Sequence, residues 1–385
     1  MADTPAVCRP RSRSCTQRLQ SISKGPGWGA GLSVRRLLVL LVLECAALWS
    51  TTWRSGHGPP EFKVRGRIAW ALPLASTWVP PEWTPSRDAA PPGYAAVLLH
   101  GLDAWRATWQ RAAVELAGRG VGSLAVDVRG HGESPLGDPR DFEPDCLASD
   151  VRATARAAGL PLGRSRLVLI GHSMGGRIAL RYAAEYPEDV AVLILEDIDC
   201  VPRALQPLPE EEQERRRGFH RAFPSWASCR QALLSFGYAP RRVDYWWEGN
   251  PPSVLPLGAG GVWSTVCPYA QHLGQARVLA SPDGLAALRE VAALRRGGRG
   301  PACLRALVAG PRWTVCSWTA VPGGLADMCA AAPGLRAVEF PRTSHSIHRA
   351  APQEFAEAVE ASIREAHVAQ AQTASSGSLH DMSRC

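Results

Sequence analysis

The chain has 385 residues, 46% of them hydrophobic and 20% charged, enough apolar material for one or two ordinary globular domains, which excludes general disorder. Its formal charge of +8 is concentrated: residues 1–36 carry six Arg and one Lys against the single acid Asp3, so +6 sits in this leader and only +2 remains for the rest, which excludes a basic surface for nucleic acid. The eleven cysteines form no CxxC pair and no Cys/His cluster at zinc-ligand spacing, which argues against a metal module and a disulfide-stapled secreted domain and for free thiols in a reducing compartment.

In chain order, Arg35 and Arg36 precede the run LLVLLVLECAALW, which Glu44 interrupts and which falls short of the roughly 20 apolar residues of a transmembrane helix. Behind an Arg/Ser-rich, acid-poor leader, this predicts a targeting segment over residues 1–53 that takes the chain to an organelle (chloroplast or mitochondrion) or associates it with a membrane. A linker follows at 54–61, and VPPEWTPSRDAAPPG reads as further turns. FKVRGRIAWAL, from residue 62, alternates like a strand or hairpin arm.

Four apolar runs come next: AAVLL (95–99), GSLAVD (122–127), RLVLIG (166–171) and VAVLILED (190–197), separated by helical stretches such as TWQRAAVELAGRG and LASDVRATARAAG. LRALVAG (304–310), LRAVEF (335–340) and the closing helix QEFAEAVEASIREA resume the series. Continuous apolar strands alternating with helices predict an α/β fold, a mostly parallel sheet covered on both faces. Its two parts span 62–199 and 301–366, interrupted at 200–300 by a Pro/Arg/Trp-rich insertion expected to cap the site, and residues 367–385 read as a disordered tail.

The chemistry centres on GHSMG, residues 171–175. A serine hydroxyl needs a base to take its proton and donors to hold the oxyanion that forms. Glycines two before and two after Ser173 suit a tight strand-to-helix turn that exposes the serine oxygen and aims the Met174 N–H at a substrate oxygen from a helix N-terminus. In LLHGLDAW, the Leu102 N–H just past Gly101 is the second candidate donor, and His100 at the strand end reads as a structural hydrogen-bonding residue.

HG after one strand, DVRGHGES after the next and GHSMGG after the third together resemble the α/β-hydrolase superfamily, in order and spacing, over roughly residues 62–366. The resemblance gives the His131 loop a scaffold role and implies a histidine after the last strand. FPRTSHSIHRAAPQEF offers His345 and His348 there; the family pattern of a small residue, His and a helix opening such as PQEF selects His345 and leaves His348 to pack the loop. The acid departs from the commonest family position, since LVAGPRWTVCSWTAVPGG holds no carboxylate between Gly310 and Asp327. A subgroup of acyl-ester hydrolases carries its acid one strand after the nucleophile strand, and LEDID matches that pattern with Asp197. Asp199 is the other candidate, Glu196 by strand alternation should face away, and the acids could instead cap a helix of the insertion.

The resemblance thus implies a serine hydrolase that cleaves a carboxylic ester or thioester, of carboxylesterase, lipase or thioesterase type, with Ser173, His345 and Asp197 as the triad and Leu102 and Met174 as the oxyanion hole. It implies no metal and no organic cofactor, and a small-molecule or lipid acyl ester as partner. Serine at the elbow argues against the Asp-nucleophile chemistry of epoxide hydrolases in the same superfamily. The alternative is a non-catalytic ligand-binding or scaffold protein on the same fold. In the insertion, Trp226, Tyr245, Trp246 and Trp247 read as its own small core or as an acyl pocket, and Arg215, Arg216 and Arg217 beside EEEQE as a solvated helix with charge pairs.

Overall fold

The computed structural model describes residues 61–382 apart from 65–66, 83–89, 313 and 317–320, so the expected targeting segment lies outside the described residues. Among the described residues no helix is long and apolar enough to cross a membrane. The described residues open on an antiparallel hairpin of β1 (Glu61–Val64) and β2 (Arg67–Trp70), as the alternation of FKVRGRIAW predicts.

The six apolar runs become the strands of one sheet. After β3 (Ser76–Val79) come β4 (Ala95–Leu99), β5 (Gly122–Val126), β6 (Leu167–His172) and β7 (Val190–Glu196). Two further strands, β11 (Cys303–Ala309) and β12 (Leu335–Phe340), complete the spatial order β12-β11-β7-β6-β4-β5-β3. Every pairing is parallel except that of β3 with β5, in which Ser76 faces Val126 and Val79 faces Ser123. β3 lies ahead of the turn-rich stretch and was not foreseen: four residues at a sheet edge carry too little periodicity to be read alone.

Alternation along each strand divides the core in two. Val97, Leu99, Leu169, Leu193 and Leu195 face one side, where the helices Pro144–Ala157, Met174–Glu185 and Gly284–Arg296 cover them. Ala96, Leu98, Val168, Ile170, Val192 and Ile194 face the other, under Gln110–Gly118 and the helix that begins at Pro352. Each such Val, Leu or Ile contributes roughly 1.5–3 kcal/mol relative to exposure, so strands buried on both faces dominate the drive to fold.

The insertion between β7 and β11 is not uniform. Strands β8 (Ala222–Phe223), β9 (Val254–Pro256) and β10 (Val262–Ser264) form a small antiparallel sheet in the order β8-β10-β9. With the helices Trp226–Ser235 and Pro240–Glu248 it encloses a separate apolar cluster that includes Leu233, Val243 and the buried Trp246. Residues 268–296 join the main core instead, through Tyr269, Leu273, Leu288 and Val291. The spacing of Leu288, Val291 and Ala292 is that of one helical face, a signal diluted when a hundred Pro/Arg/Trp-rich residues are read together. Arg215 and Arg217 pair with Glu212 and Glu214 along one exposed helix, as the charge pattern predicts.

At the C-terminus the helix that starts at Pro352 continues to Met382, so residues 367–382, expected to be disordered, are helical. Ala and Gln favour helix in HVAQAQTA, and the turn beyond residue 366 is tied down. The Tyr94 hydroxyl donates to Gln370 Oε1 at 3.0 Å, and Gln370 Nε2 donates to the Ser165 carbonyl at 3.0 Å.

The motif DVRGHGES is a structural joint. Arg129 forks onto Asp150 at 2.6 and 2.8 Å with both side chains wholly buried, and Asp150 also accepts the Leu72 N–H at 2.7 Å. Asp127 accepts the backbone N–H groups of Arg106 and Glu133 at 2.6 and 2.9 Å. His131 is buried and burial pushes its imidazole down to about 3, so it stays neutral, in keeping with a scaffold role. Breaking a buried ion pair strands a charge. Arg129→Met is therefore expected to lower the unfolding free energy by about 3–5 kcal/mol, and Arg129→Met with Asp150→Leu by much less, measured by urea denaturation.

Candidate active site

The site begins where β6 runs out. Ser173 directly follows His172 and has φ +52° and ψ −121°, a conformation that costs a non-glycine residue about 1–3 kcal/mol, before the chain enters the helix Met174–Glu185. Two backbone bonds hold it there: Ser173 N–H to the Glu196 carbonyl at 2.9 Å, and Gly176 N–H to the Ser173 carbonyl at 2.8 Å. The flanking glycines are required by contact. A Cβ on Gly171 would lie 2.2 Å from the Gly175 carbonyl oxygen, and one on Gly175 would lie 2.3 Å from that of Leu99.

The candidate oxyanion residues come from the loop after β4, which carries Leu102, and from the start of the helix after Ser173, which carries Met174, and meet beside this turn. Gly101 sits so close that a Cβ there would be 3.0 Å from Ser173 Cβ, and a Cβ on Gly274 would be 2.6 Å from both Leu102 Cδ2 and Met174 Sδ. His100 is wholly buried: the Val128 N–H donates to its Nε2 at 3.0 Å, so Nδ1 carries the proton and donates to the Gly101 carbonyl at 2.8 Å. Burial lowers its basicity and it acts as a strut for the loop, as expected from its place at the strand end. Ser173 borders a cavity of about 240 Å³ walled by Ile198, Leu205, Leu279 and Val315, with Arg203 and Gln275 as its polar members.

One residue beyond the end of β7, the structure brings Asp197 and His345 together across 148 residues of sequence: Nδ1 of His345 lies 2.6 Å from Oδ2 of Asp197. Asp197 has no exposed side-chain surface, whereas His345 is one-third exposed. Three more donors reach the carboxylate. Oδ1 accepts the Ala309 N–H at 3.0 Å and the Thr314 hydroxyl at 2.6 Å, and Oδ2 accepts the Val315 N–H at 3.1 Å. Burial pushes this carboxyl up, but the bonds from His345, Thr314, Ala309 and Val315 outweigh it and hold the group below the ordinary aspartate value. The acid-free loop after β11 thus supplies the donors that keep the acid of the neighbouring strand ionised. Thr314 carries no sequence signal for this role, because its hydroxyl acquires it only through a contact across 117 residues of chain.

The remaining acids separate as strand alternation predicts. Glu196 turns to the other side and accepts from His348, both from its backbone N–H at 3.0 Å and from Nδ1 at 2.8 Å, with both side chains buried. His348 stacks on Trp109 with ring centroids 3.9 Å apart. Asp199 is engaged elsewhere, accepting from the Val201 N–H at 3.0 Å and from Arg203 at 2.7 Å. His172, unassigned by the sequence, donates from Nε2 to the His345 carbonyl at 3.0 Å and so holds the imidazole loop from beneath. Burial drives its imidazole well below the ordinary value, which keeps it neutral and Nε2–H a donor. Trp226 stacks on Trp247 at 5.1 Å, Trp246 fills the insertion's own core, and Tyr245 is half-exposed. Among the described residues, no group of three His, Cys, Asp or Glu side chains is placed to hold a metal ion.

A model of the alpha/beta hydrolase fold family matches residues 95–229. N-formylmaleamate deformylase of Pseudomonas putida is 37% identical over 105 residues, 27% of this chain and 37% of that protein. The sn-1-specific diacylglycerol lipase ABHD11 of Mus musculus is 37% identical over 167 residues, 40% of this chain and 52% of that protein. This chain therefore spans about a third to a half of the length of these relatives. Among solved structures, the thioesterase domain from the curacin biosynthetic pathway superposes over 79% of this chain and 99% of that one, with a TM-score of 0.51 at 17% identity, a likeness of fold.

The depressed Asp197 carboxyl has a consequence for stability. Its folded value lies below the unfolded one, near 3.9, so its contribution is fully present above that pH and is lost as pH falls through the folded value. The unfolding free energy of wild type relative to Asp197→Asn should be constant above about pH 5 and shrink below about pH 4, as followed by urea denaturation across pH.

Proposed function

We propose that this chain is a serine hydrolase of the α/β-hydrolase superfamily that cleaves a carboxylic ester or thioester through an acyl-enzyme. The observation that carries the reading is the 2.6 Å contact of Asp197 with His345 at the strand ends where Ser173 is held in a strained turn. The lipase named among the relatives supports an ester as the bond attacked.

In this reading Ser173 Oγ attacks the acyl carbon as its proton passes to Nε2 of His345. Asp197 fixes the imidazole in the tautomer with Nδ1–H toward the carboxylate, and it stabilises the imidazolium that forms. The Leu102 and Met174 N–H groups take the oxyanion. When the tetrahedral adduct collapses, Nε2–H protonates the departing alkoxide or thiolate. A water then repeats the sequence on the acyl-enzyme, giving up its proton to Nε2 and releasing the acid and the free serine. His172 and the Glu196–His348 pair touch no reacting atom and position the loop that carries His345. The part of the insertion with its own core, residues 219–266, serves as the cap that selects the substrate.

Two measurements test this. Ser173→Ala is expected to abolish hydrolysis of an activated short-chain ester and labelling by a fluorophosphonate, which should mark wild type at this serine; undiminished turnover by the variant removes the triad assignment. Asp197→Asn should lower kcat by about 10⁴, the loss found when the orienting acid of a triad is neutralised. Asp199→Asn should cost far less, because its carboxylate is taken up by Arg203 and the Val201 N–H.

A further inference from the structure

The cavity at Ser173 is not alone near the site. A second cleft, about 370 Å³, is walled in part by Ser344 and Ser346, the residues on either side of His345 in the chain. Its other polar residues are Arg111, Arg349, Asn250, Tyr245 and Thr108, whose hydroxyl already donates to the Trp105 carbonyl. It holds no Asp or Glu, and among the described residues neither arginine has a carboxylate partner. Arg349 donates instead to the Tyr245 hydroxyl, with its guanidinium carbon 5.5 Å from the centre of that ring, which leaves the phenol proton free to donate onward.

The other arginines near the site differ in this respect. Arg203, which lines the Ser173 cavity, pairs with Asp199. A third cavity, about 400 Å³, is lined by Arg216 and Arg242, but Arg216 pairs with Glu212 and Arg242 with Asp103. Those cations are neutralised within the protein, whereas the cleft beside His345 presents two guanidinium groups, an amide, two serine hydroxyls and a phenol with no internal counter-charge. That donor set fits an oxyanion, since guanidinium forks match the planar geometry of a carboxylate and the spread charge of a phosphate.

Position decides which part of the substrate carries the anion. The apolar walls of the Ser173 cavity suit the acyl chain. The imidazole delivers its proton to the leaving group, so the leaving group lies on the His345 side. We propose that the cleft of Arg111, Arg349, Asn250 and Tyr245 is a leaving-group subsite, and that the substrate is an ester or thioester whose alcohol or thiol part bears a carboxylate or phosphate. The proposal rests on the serine-hydrolase reading for the direction of attack; the existence of an anion site does not.

The test compares butyrate esters with a common acyl group: 4-carboxyphenyl butyrate, its neutral methyl ester, and 4-(phosphonooxy)phenyl butyrate. Wild type should favour at least one anionic ester over the neutral one by about tenfold or more in kcat/KM, the factor that corresponds to one charge-assisted contact of modest strength. The anion that gains more identifies the group. In Arg111→Gln/Arg349→Gln the anionic-to-neutral ratio should fall by about that factor, toward the value the leaving groups' intrinsic reactivities set, and turnover of the neutral ester shows that the variant is folded. Intrinsic differences between the leaving groups cancel in the comparison of the two proteins, and added salt should reduce the wild-type ratio but not that of the variant. A ratio unchanged by the two substitutions overturns the proposal. If no ester is turned over, calorimetric titration with 4-hydroxybenzoate and phenyl phosphate separates the two readings: binding by wild type that the double variant loses upholds the anion site while the hydrolase reading fails, and no binding by wild type overturns the site itself.

Discussion

A carboxylate with no exposed surface must have its lone pairs met by the protein, and at Asp197 four donors do so: the backbone N–H of Ala309 and Val315, the Thr314 hydroxyl and His345 Nδ1. The arrangement joins the end of β7, the loop after β11 and the loop after β12. The parallel register makes this junction available, because β11 lies between β7 and β12 and all three strands end on the same side. A change in any of the three segments would leave a buried charge short of a partner, which is why the loop after β11 needs a hydroxyl and free N–H groups more than it needs a charge.

Beneath Asp197 a second acid–imidazole pair repeats the pattern with a different purpose. Glu196 and His348 are almost completely buried, and the pair is covered by Trp109. Burying two ionisable groups costs desolvation that their attraction only partly offsets, so such a pair fixes position more than it adds stability. Here Glu196 anchors the backbone at His348, three residues beyond His345, while the His172 ring donates to the carbonyl of His345 itself. The one-third-exposed imidazole thus sits on a backbone held at two points. Ser173, its backbone N–H bonded to the carbonyl of that same Glu196, belongs to the same rigid unit.

The insertion shows how one stretch of chain can serve two cores. Residues 268–296 complete the main core, while the strands and helices around Trp246 close on themselves. The Ser173 cavity draws its walls from both strand-end loops and inserted residues, with Ile198 and Val315 on one side and Leu205, Gln275 and Leu279 on the other. A pocket built this way can change its specificity through the inserted residues without disturbing the carboxylate that the sheet holds.

How much of this was legible beforehand follows from the range over which each feature acts. Apolar runs of five to seven residues buried on both faces form strands wherever they lie, so the sheet, its helices, the turn at Ser173 and the pairing of alternate strand residues with opposite faces follow from local composition and period-two geometry. The same alternation already turned Glu196 away from Asp197. By itself, then, the sequence determined the sheet, the elbow and the short list of candidates for base and acid. Tertiary structure set the candidates apart by their partners: Asp197 lies at hydrogen-bond distance from a histidine 148 residues away, whereas Arg203 occupies the carboxylate of Asp199. It also decided the roles of Thr314, His172 and His348, and it placed Arg111 and Arg349 in one cleft, since contacts between residues far apart in the chain leave no periodic trace in its sequence.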